Sequence, residues 1–423
     1  MEAQARFTSG PFWLRRGRVG LLAAALGLAA CGGGGGGGGA PDPVDPPVGT
    51  ECTGDDCRRE VLKDIGEQII LPALRDFDDR AAALNIAAAA YADTPASADA
   101  RDAARAAWDA AMDSWQRNEV LQVGPAGRST NPDMVAGGQD FRDLIYSWPL
   151  TLNTCGLESA ADTGAVVDGS TAINLTGLGA LEQLLFTDAP PAECAAQPDA
   201  AERAAHVERL ADWMSQVATS LRNRWEPDGG NFIAQWSTAG DGSAVYMTPQ
   251  SGLNAVSIAL FYAEKNSKDR KIALPTGLPA TGLDCSDPVA CPEFLESRLS
   301  RRTGQNLIAN YQAFRDLFTG VGGEFGMNDL LEGIGREDLA TEIIVEVDAL
   351  LAAIQAIEND GGFDAAVEGI TDRTECMNAF ASSSGLPPCA LLGVSKTAMD
   401  TFRGPIVSAL SLAVPSAAAG DND

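Results

Sequence analysis

The chain has 423 residues and a formal net charge of −28, with 58 acidic residues against 30 lysines and arginines. Such a chain lacks the basic surface that neutralises phosphates, so we expect no nucleic-acid partner. The single histidine, His206, excludes a two-histidine zinc protease motif, and no phosphate-cradling G-x-x-x-x-G-K loop is present. We expect His206 to lie on a helix surface, where Glu202 offers it an ordinary ion pair one turn away.

Residues 1–30 have the features of a targeting segment. A basic stretch at 15–18 precedes a short apolar run at 19–30, and Leu28-Ala29-Ala30-Cys31 has the form of a lipobox. The apolar run is too short to cross a bilayer, for which about 20 residues are needed. We predict a lipoprotein signal peptide, acylation of Cys31 and membrane attachment through that lipid in the bacterial cell envelope. An ordinary cleaved signal with an incidental cysteine is the alternative.

The next segment, residues 31–56, has the composition of a tether. It contains an uninterrupted glycine tract at 32–39 and then several prolines, so it changes from a flexible coil to a stiffer extended stretch. Gly32, directly after the cysteine, favours outer-membrane sorting by resemblance to bacterial lipoproteins. We therefore expect a domain held away from a membrane surface, facing either the periplasm or the exterior.

Eight cysteines remain after Cys31 is assigned to the lipid. An even number in an exported protein favours disulfides, although eight cysteines permit 105 pairings. A zinc site is the rival interpretation, but the chain has no C-x-x-C and almost no histidine. Proximity in the sequence predicts four pairs: Cys52 with Cys57, Cys155 with Cys194, Cys285 with Cys291, and Cys376 with Cys389. The second pair is expected to link the loops on either side of a helix near residue 180.

The body of the chain has helical periodicity, and no strand alternation of comparable strength occurs. We predict an all-α fold of two packed helical bundles, residues 57–226 and 243–414, divided in the Gly- and Pro-marked stretch 227–242. The glycine-rich segment 320–335 is predicted to be either a ligand-facing loop or a simple connector. Helices are predicted at 61–92, 101–118, 177–186, 200–225, 249–266, 292–318, 339–357 and 391–413.

One helix combines a glycine pair with a lone acid. Thr176 is the expected N-cap, and the leucines that follow recur at helical spacing, with Glu182 inside the apolar stretch. A carboxylate there must be paired, protonated, bound to a metal or turned to solvent. Gly177 and Gly179 each cost about 1 kcal/mol in a helix, which close approach of a backbone or a ligand would explain. A truncated dinucleotide fingerprint is the alternative, but Glu182 occupies its last glycine or alanine position and no alternating strand and helix pattern follows.

These residues resemble the G-x-H-x-x-E motif of the imelysin family. Gly177 matches the glycine and Glu182 the acid, whereas Gly179 replaces the histidine. Trp115 and the stretches 123–126 and 146–149 resemble the segments that precede the motif in imelysin-like lipoproteins. The resemblance extends over about residues 64–412 and implies an all-α, imelysin-like fold.

The family resemblance implies two functions, since imelysins were described as peptidases and relatives serve in envelope iron uptake. The motif histidine and glutamate lie on one helix face and could share a metal, but Gly179 offers no ligand atom. Glu182 with other carboxylates could still hold iron or another divalent or trivalent ion in an oxygen-rich site. Asp140, Arg142 and Glu158 are the nearby candidates.

Three functional hypotheses follow. The preferred one is a non-catalytic envelope lipoprotein that binds iron or a haem-like molecule at the face carrying Glu182, with protein partners in an uptake system. The alternatives are a metal-dependent imelysin-type peptidase, and a structural or partner-binding surface protein with a vestigial site.

Overall fold

Every regular element in the part of the chain that the computed structural model describes is a helix. The described residues are 52–129, 136–278, 285, 289–377, 384–416 and 418, and they belong to one compact unit. The predicted all-α class is therefore confirmed. The predicted signal peptide and Cys31 lie outside the described residues, as does most of the predicted tether. Its last residues are described, and there the first helix begins at Gly54.

The α-helices range from single turns to seven turns. They are α1 Gly54–Asp64, α2 Leu71–Asp93, α3 Ala98–Asn118, α4 Phe141–Ile145, α5 Thr154–Asp162, α6 Gly177–Phe186, α7 Ala200–Trp225, α8 Phe232–Ser237, α9 Pro249–Tyr262, α10 Thr303–Thr319, α11 Met327–Gly333, α12 Glu337–Asn359, α13 Phe363–Glu368, α14 Thr374–Met377, α15 Pro387–Thr401 and α16 Val407–Ala409. Three π-helical segments, Ile65–Ile70, Ala263–Ala273 and Phe402–Ile406, continue α1, α9 and α15. Three single turns of 3₁₀-helix are Gly124–Ala126, Ile173–Leu175 and Pro292–Phe294.

Helix α7 shows why the periodic stretches fold as predicted. Asp199 and Glu202 form a capping box at its first turn, which satisfies amide groups that a helix start leaves unpaired. Helix α7 packs against α2, and five of its apolar residues at alternating spacings of three and four are buried: Val207, Leu210, Met214, Val217 and Leu221. The stripe and both ends of α7 therefore agree with the prediction.

Helices from both predicted bundles pack against each other. α2 packs against α3 and α7, α3 contacts α10, and α12 packs against α10 and α15. The predicted boundary stretch 227–242 contains α8, where buried Trp236 donates a hydrogen bond to the Leu62 carbonyl of α1. The division into bundles 57–226 and 243–414 stays a prediction.

Four predicted helices have wrong boundaries. The helix predicted at 61–92 begins at Gly54 and continues through a π-helical segment into α2. The helix predicted at 292–318 begins at Thr303. Before it, only Pro292–Phe294 forms a short 3₁₀ turn, and residues 295–302 are not helical. The helix predicted to end at 266 continues as a π-helix to Ala273. The helix predicted at 391–413 begins at Pro387, and its last regular turn ends at Ala409.

All four predicted disulfides are confirmed: Cys52–Cys57, Cys155–Cys194, Cys285–Cys291 and Cys376–Cys389. Cys155 lies in the first turn of α5, and Cys194 lies in the connection between α6 and α7. This bridge therefore joins the segments before and after α6, as predicted.

His206 departs from its predicted surface position. It is buried on α7, and its Nδ1 contacts the Arg209 guanidinium at 3.1 Å, while Glu202 is engaged in the capping box. Burial, with a further contribution from the Arg209 charge, lowers the pKa of His206 to about 4. His206 is therefore a neutral core residue at pH 7.

The segment 320–335 is partly helical, since it contains α11, which packs against α10 and α12. It contributes no residue to the cleft beside α6 described below. In the described part of the chain, no helix combines the length and apolar character needed to cross a membrane.

Candidate functional site

A cleft of about 460 Å³ lies beside α6, and we call it the Glu182 cleft. Four segments form its walls: α6, the stretch 146–154, the end of the π-helix Ala263–Ala273, and the irregular segment 293–299. Gly179 and Glu182, predicted from the motif, both line it. A volume of this size is in the range of small-molecule sites.

Gly177 is required by the backbone. Its φ is +79°, a left-handed conformation, and a Cβ there would lie 2.5 Å from the Ile145 carbonyl oxygen. The predicted close approach of another backbone is thus confirmed for this glycine. Thr176 occupies the N-cap position, but its side chain makes no capping hydrogen bond, so the predicted cap is only positional.

Gly179 serves the cleft differently. A Cβ at this position would meet no atom within 4 Å, and its φ is outside the left-handed range. The residue lines the Glu182 cleft, so its missing side chain leaves room there. The histidine of the family motif, if present, would project from this position.

Glu182 is a buried carboxylate at the cleft wall, with 7% of its surface exposed. Its Oε1 accepts hydrogen bonds from the Ser300 backbone N at 2.9 Å and from the Ser300 Oγ at 2.8 Å. Desolvation is the largest cause that raises the pKa of Glu182 to about 7; the Ser300 donors oppose this rise and the Glu296 charge adds to it. The sequence allows this carboxylate to be paired, protonated, bound to a metal or turned to solvent. With a pKa of about 7, it is protonated in about half of the molecules near neutral pH.

We expect the stability of the protein to depend on Glu182 between pH 4.5 and 7. The folded state raises the pKa of this carboxyl from 4.5 to about 7, so the penalty for ionising it is absent below pH 4.5 and complete above pH 7. Glu182→Gln lacks the penalty, and its unfolding free energy should gain ~3 kcal/mol relative to wild type across that window. Chemical denaturation at a series of pH values measures this.

Ser300→Ala provides the matched comparison for this experiment. It removes one donor that favours the carboxylate, so the midpoint of the pH effect should move to higher pH. A difference between wild type and Glu182→Gln that does not change with pH would contradict the assignment.

A buried polar network lies behind the cleft wall. The Lys271 Nζ is 2.9 Å from Glu296 Oε2 and donates to Gln116 Oε1 at 2.8 Å and Asn310 Oδ1 at 2.7 Å. Gln116 also donates to Glu296 Oε1 at 3.0 Å, and Asn306 donates to Glu296 Oε2 at 2.9 Å. The three protons of the ammonium group and both oxygens of the carboxylate are therefore satisfied.

This network touches the cleft on one side. Glu296 lines the cleft, and the Lys271 Nζ lies 5.4 Å from the centre of the Trp148 ring, which forms part of the same wall. Desolvation, as the largest cause, lowers the pKa of Lys271, and Glu296 opposes that shift. The network therefore fixes a cleft wall built from segments far apart in the sequence.

The three nearby candidates from the sequence do not join Glu182. Asp140 accepts a hydrogen bond from the Ser129 backbone N at 2.9 Å and does not line the cleft. Arg142 and Glu158 are buried but paired elsewhere: Arg142 with Glu119 at 2.8 Å, and Glu158 with Arg203 at 3.1 Å. The charges of Arg142 and Glu158 are therefore neutralised within buried ion pairs.

A resident metal ion does not fit this site. Gly179 supplies no ligand atom, and one Glu182 oxygen already accepts two hydrogen bonds from Ser300. Across the described ranges, no three His, Cys, Asp or Glu side chains come together in a group that could hold a metal. A metal at Glu182 stays a prediction that these residues do not support.

Sequence reasoning missed the residues opposite α6. Arg270, Glu296 and Arg298 line the cleft, and Lys271 supports it from behind. The stretch 263–273 carries a dense set of charges between two apolar runs. This charge pattern is the one sequence feature that could have pointed to these cleft residues. Its π-helical geometry, common at functional sites, was not visible in the sequence.

The fold and the cleft together define an all-helical protein with a cleft of about 460 Å³ beside its motif helix. The chain belongs to the Imelysin family, whose model matches residues 70–382. The resemblance based on the motif is therefore confirmed, with Gly179 in place of the motif histidine.

Known relatives extend this comparison. The chain is 25% identical over 263 residues to Iron-regulated protein A of Synechococcus elongatus, an alignment that covers 62% of this chain and 64% of that protein. The chain thus spans slightly less than two thirds of the length of this curated relative.

Two solved structures share the fold. An imelysin-like protein from Psychrobacter arcticum 273-4 has a TM-score of 0.61 at 14% identity, covering 86% of this chain and 98% of its own. An iron-regulated protein A precursor from Parabacteroides distasonis has a TM-score of 0.58 at 16% identity, covering 84% and 97%. At these identities the likeness extends to the fold.

Proposed function

We propose that this chain is a non-catalytic, lipid-anchored protein of the bacterial envelope that binds the ligand of an iron-uptake system in the Glu182 cleft. The observation that carries the proposal is the cleft itself, which opens beside the motif helix where Gly179 leaves space. The names of two similar proteins, each of which contains the words iron-regulated protein A, support the link to iron. The lipobox at Cys31 supports attachment to the membrane, with outer-membrane sorting and uptake-system partners as parts of the same proposal.

The non-catalytic part of the proposal rests on the ligands that the motif helix lacks. A metallopeptidase needs a metal held by several protein groups that activates a water molecule. Gly179 lacks the metal-ligand atom that a histidine would supply. Among the described residues, no group of three His, Cys, Asp or Glu side chains near Glu182 could hold a metal instead. Iron is therefore better treated as cargo, carried within a complex, than as a resident cofactor.

A blocked cleft tests the proposal. Gly179→Phe places a ring in open space and should abolish binding without disturbing the core, because no atom lies within 4 Å of the new Cβ. Gly404→Phe is the matched control, since Gly404 is exposed, also has open space at its Cβ and does not line the cleft. Titration calorimetry of the purified protein would use ferrous iron, ferric citrate and haemin.

We expect wild type and Gly404→Phe to bind at least one of these probes saturably, and Gly179→Phe to lose at least tenfold in affinity. Equal binding by all three proteins would move the site away from the cleft. The absence of binding to every probe would remove the iron-ligand function. Metal-dependent digestion of unfolded casein by wild type, lost in Glu182→Gln, would favour the peptidase alternative instead.

A further inference from the structure

Two arginines face the Glu182 cleft without partners of their own. Arg270 lies half-buried near the end of the π-helix Ala263–Ala273, and Arg298 lies exposed on the segment 293–299. Within the described part of the chain, neither guanidinium has an ion pair or a side-chain hydrogen bond. Most other arginines that the structure describes are paired with carboxylates or carbonyl groups, so this arrangement is unusual for the molecule.

The neighbouring carboxylates are already engaged. Asp269, next to Arg270 in the chain, lies 2.7 Å from the Lys265 Nζ and 2.6 Å from the Lys268 Nζ. Desolvation, as the largest cause, lowers the pKa of Arg270, and the Asp269 charge opposes the shift. The guanidinium has thus lost part of its hydration without gaining a hydrogen-bonded partner.

Three glutamates also line the cleft, and two of them are satisfied. Glu296 is paired with Lys271 at 2.9 Å, and Glu182 accepts two hydrogen bonds from Ser300. Glu293 is exposed, and its charge opposes an incoming anion together with the partial charge of Glu182, whose pKa is about 7. Two free guanidinium groups against one free carboxylate and the partly ionised Glu182 leave the cleft with a small local excess of positive charge, although the whole chain carries a charge of −28.

We propose that the Glu182 cleft selects an organic anion bearing carboxylate groups, which Arg270 and Arg298 hold. This inference rests on the proposed ligand-binding function and specifies the class of ligand. A guanidinium binds a carboxylate through two parallel N–H···O hydrogen bonds, which adds geometric selectivity to the charge attraction. Carboxylate oxygens are also hard donors that suit ferric iron, so such an anion can carry the metal while the protein supplies no metal ligand.

The test compares probes that differ in charge. Titration calorimetry of the purified protein would use citrate, anionic ferric citrate, inorganic phosphate and the neutral ferric complex of three acetohydroxamates. Arg270→Gln and Arg298→Gln each remove one guanidinium, and Glu293→Gln removes the opposing charge. Arg224→Gln is the control for net charge, because Arg224 is exposed on α7 and does not line the cleft.

We expect citrate and ferric citrate each to bind Arg224→Gln as tightly as they bind wild type. Both should bind Arg270→Gln and Arg298→Gln at least about tenfold more weakly. Glu293→Gln should bind both anions more tightly than wild type. If free citrate binds as tightly as ferric citrate, the cleft recognises the carboxylate groups. If only ferric citrate binds tightly, the cleft recognises the anionic iron complex. Either result supports an anion site.

Other outcomes overturn the inference. Binding of the neutral iron complex that neither arginine variant weakens would end the anion proposal and leave the iron-ligand function standing. Phosphate binding as tight as that of citrate would replace carboxylate selection with a general oxyanion site. If no probe binds wild type, the proposed function fails together with this inference.

Discussion

Lys271→Met is expected to lower the free energy of unfolding by about 3–5 kcal/mol, because it leaves the Glu296 carboxylate buried without its cation. The two groups are 2.9 Å apart, and both side chains are fully buried. The substitution also removes the donor that Gln116 and Asn310 accept from, so two amide oxygens lose their ammonium partner. Urea denaturation at pH 7 measures the change.

A double-mutant cycle identifies the cause. Glu296→Gln in the Lys271→Met background removes the unpaired charge, so the double variant should recover part of the stability that the single variant loses. Arg75→Gln is the control, because the Arg75–Glu226 pair at 2.8 Å leaves half of the arginine side chain exposed. That pair should be worth less than ~1 kcal/mol. Equal losses in Lys271→Met and Arg75→Gln would refute the buried-pair explanation.

We expect Gly177→Ala, at the first residue of α6, to destabilise the protein by about 3 kcal/mol. A side chain in the left-handed conformation costs about 1–2 kcal/mol, and overpacking adds a similar amount. At Gly177 both terms apply, since φ is +79° and the new Cβ would lie 2.5 Å from the Ile145 carbonyl oxygen. Thermal and denaturant unfolding would both report the loss.

Gly179→Ala supplies the matched comparison two residues away. Its φ is outside the left-handed range and its Cβ position is open, so alanine should stabilise the helix by about 0.5–1 kcal/mol. Opposite signs for the two alanine substitutions are the expected result. Two changes of the same sign would mean that the glycines share one role, against the geometry of the cleft.

The two motif glycines show what the sequence predicted about α6 and what it did not. Both cost helix propensity, and the sequence predicted that each needs a reason such as a close backbone or a ligand. The reason for Gly177 lies in the Ile145 carbonyl, 32 residues earlier in the chain, and the reason for Gly179 is open space in a cleft. Only the tertiary structure separates the two cases, because it brings α4 and the cleft walls to α6.

The other side of the cleft was predicted less well. A continuous helix at 292–318 would have turned Glu296 and Arg298 into ordinary positions on a helix face. The structure instead begins α10 at Thr303 and uses the irregular stretch before it as a cleft wall. Glu296 is held there by Lys271 and Asn306, and Ser300 binds Glu182. These contacts are not periodic and leave no helical or strand pattern to detect.

By itself, the sequence determined the all-α class, the core stripe of α7, the limits of α6, the four disulfide pairs and the family motif. Apart from the Cys155–Cys194 and Cys376–Cys389 bridges, which join cysteines 39 and 13 residues apart, these features depend on interactions between residues a few positions apart, which a periodic or spaced pattern records directly. The tertiary structure alone decided that His206 is buried, that Lys271 and Glu296 form a core ion pair, and that Arg270 and Arg298 line the same cleft as Glu182. The burial of a charge depends on partners brought from distant segments, such as Gln116 and Asn310 for Lys271, and no local pattern records those partners.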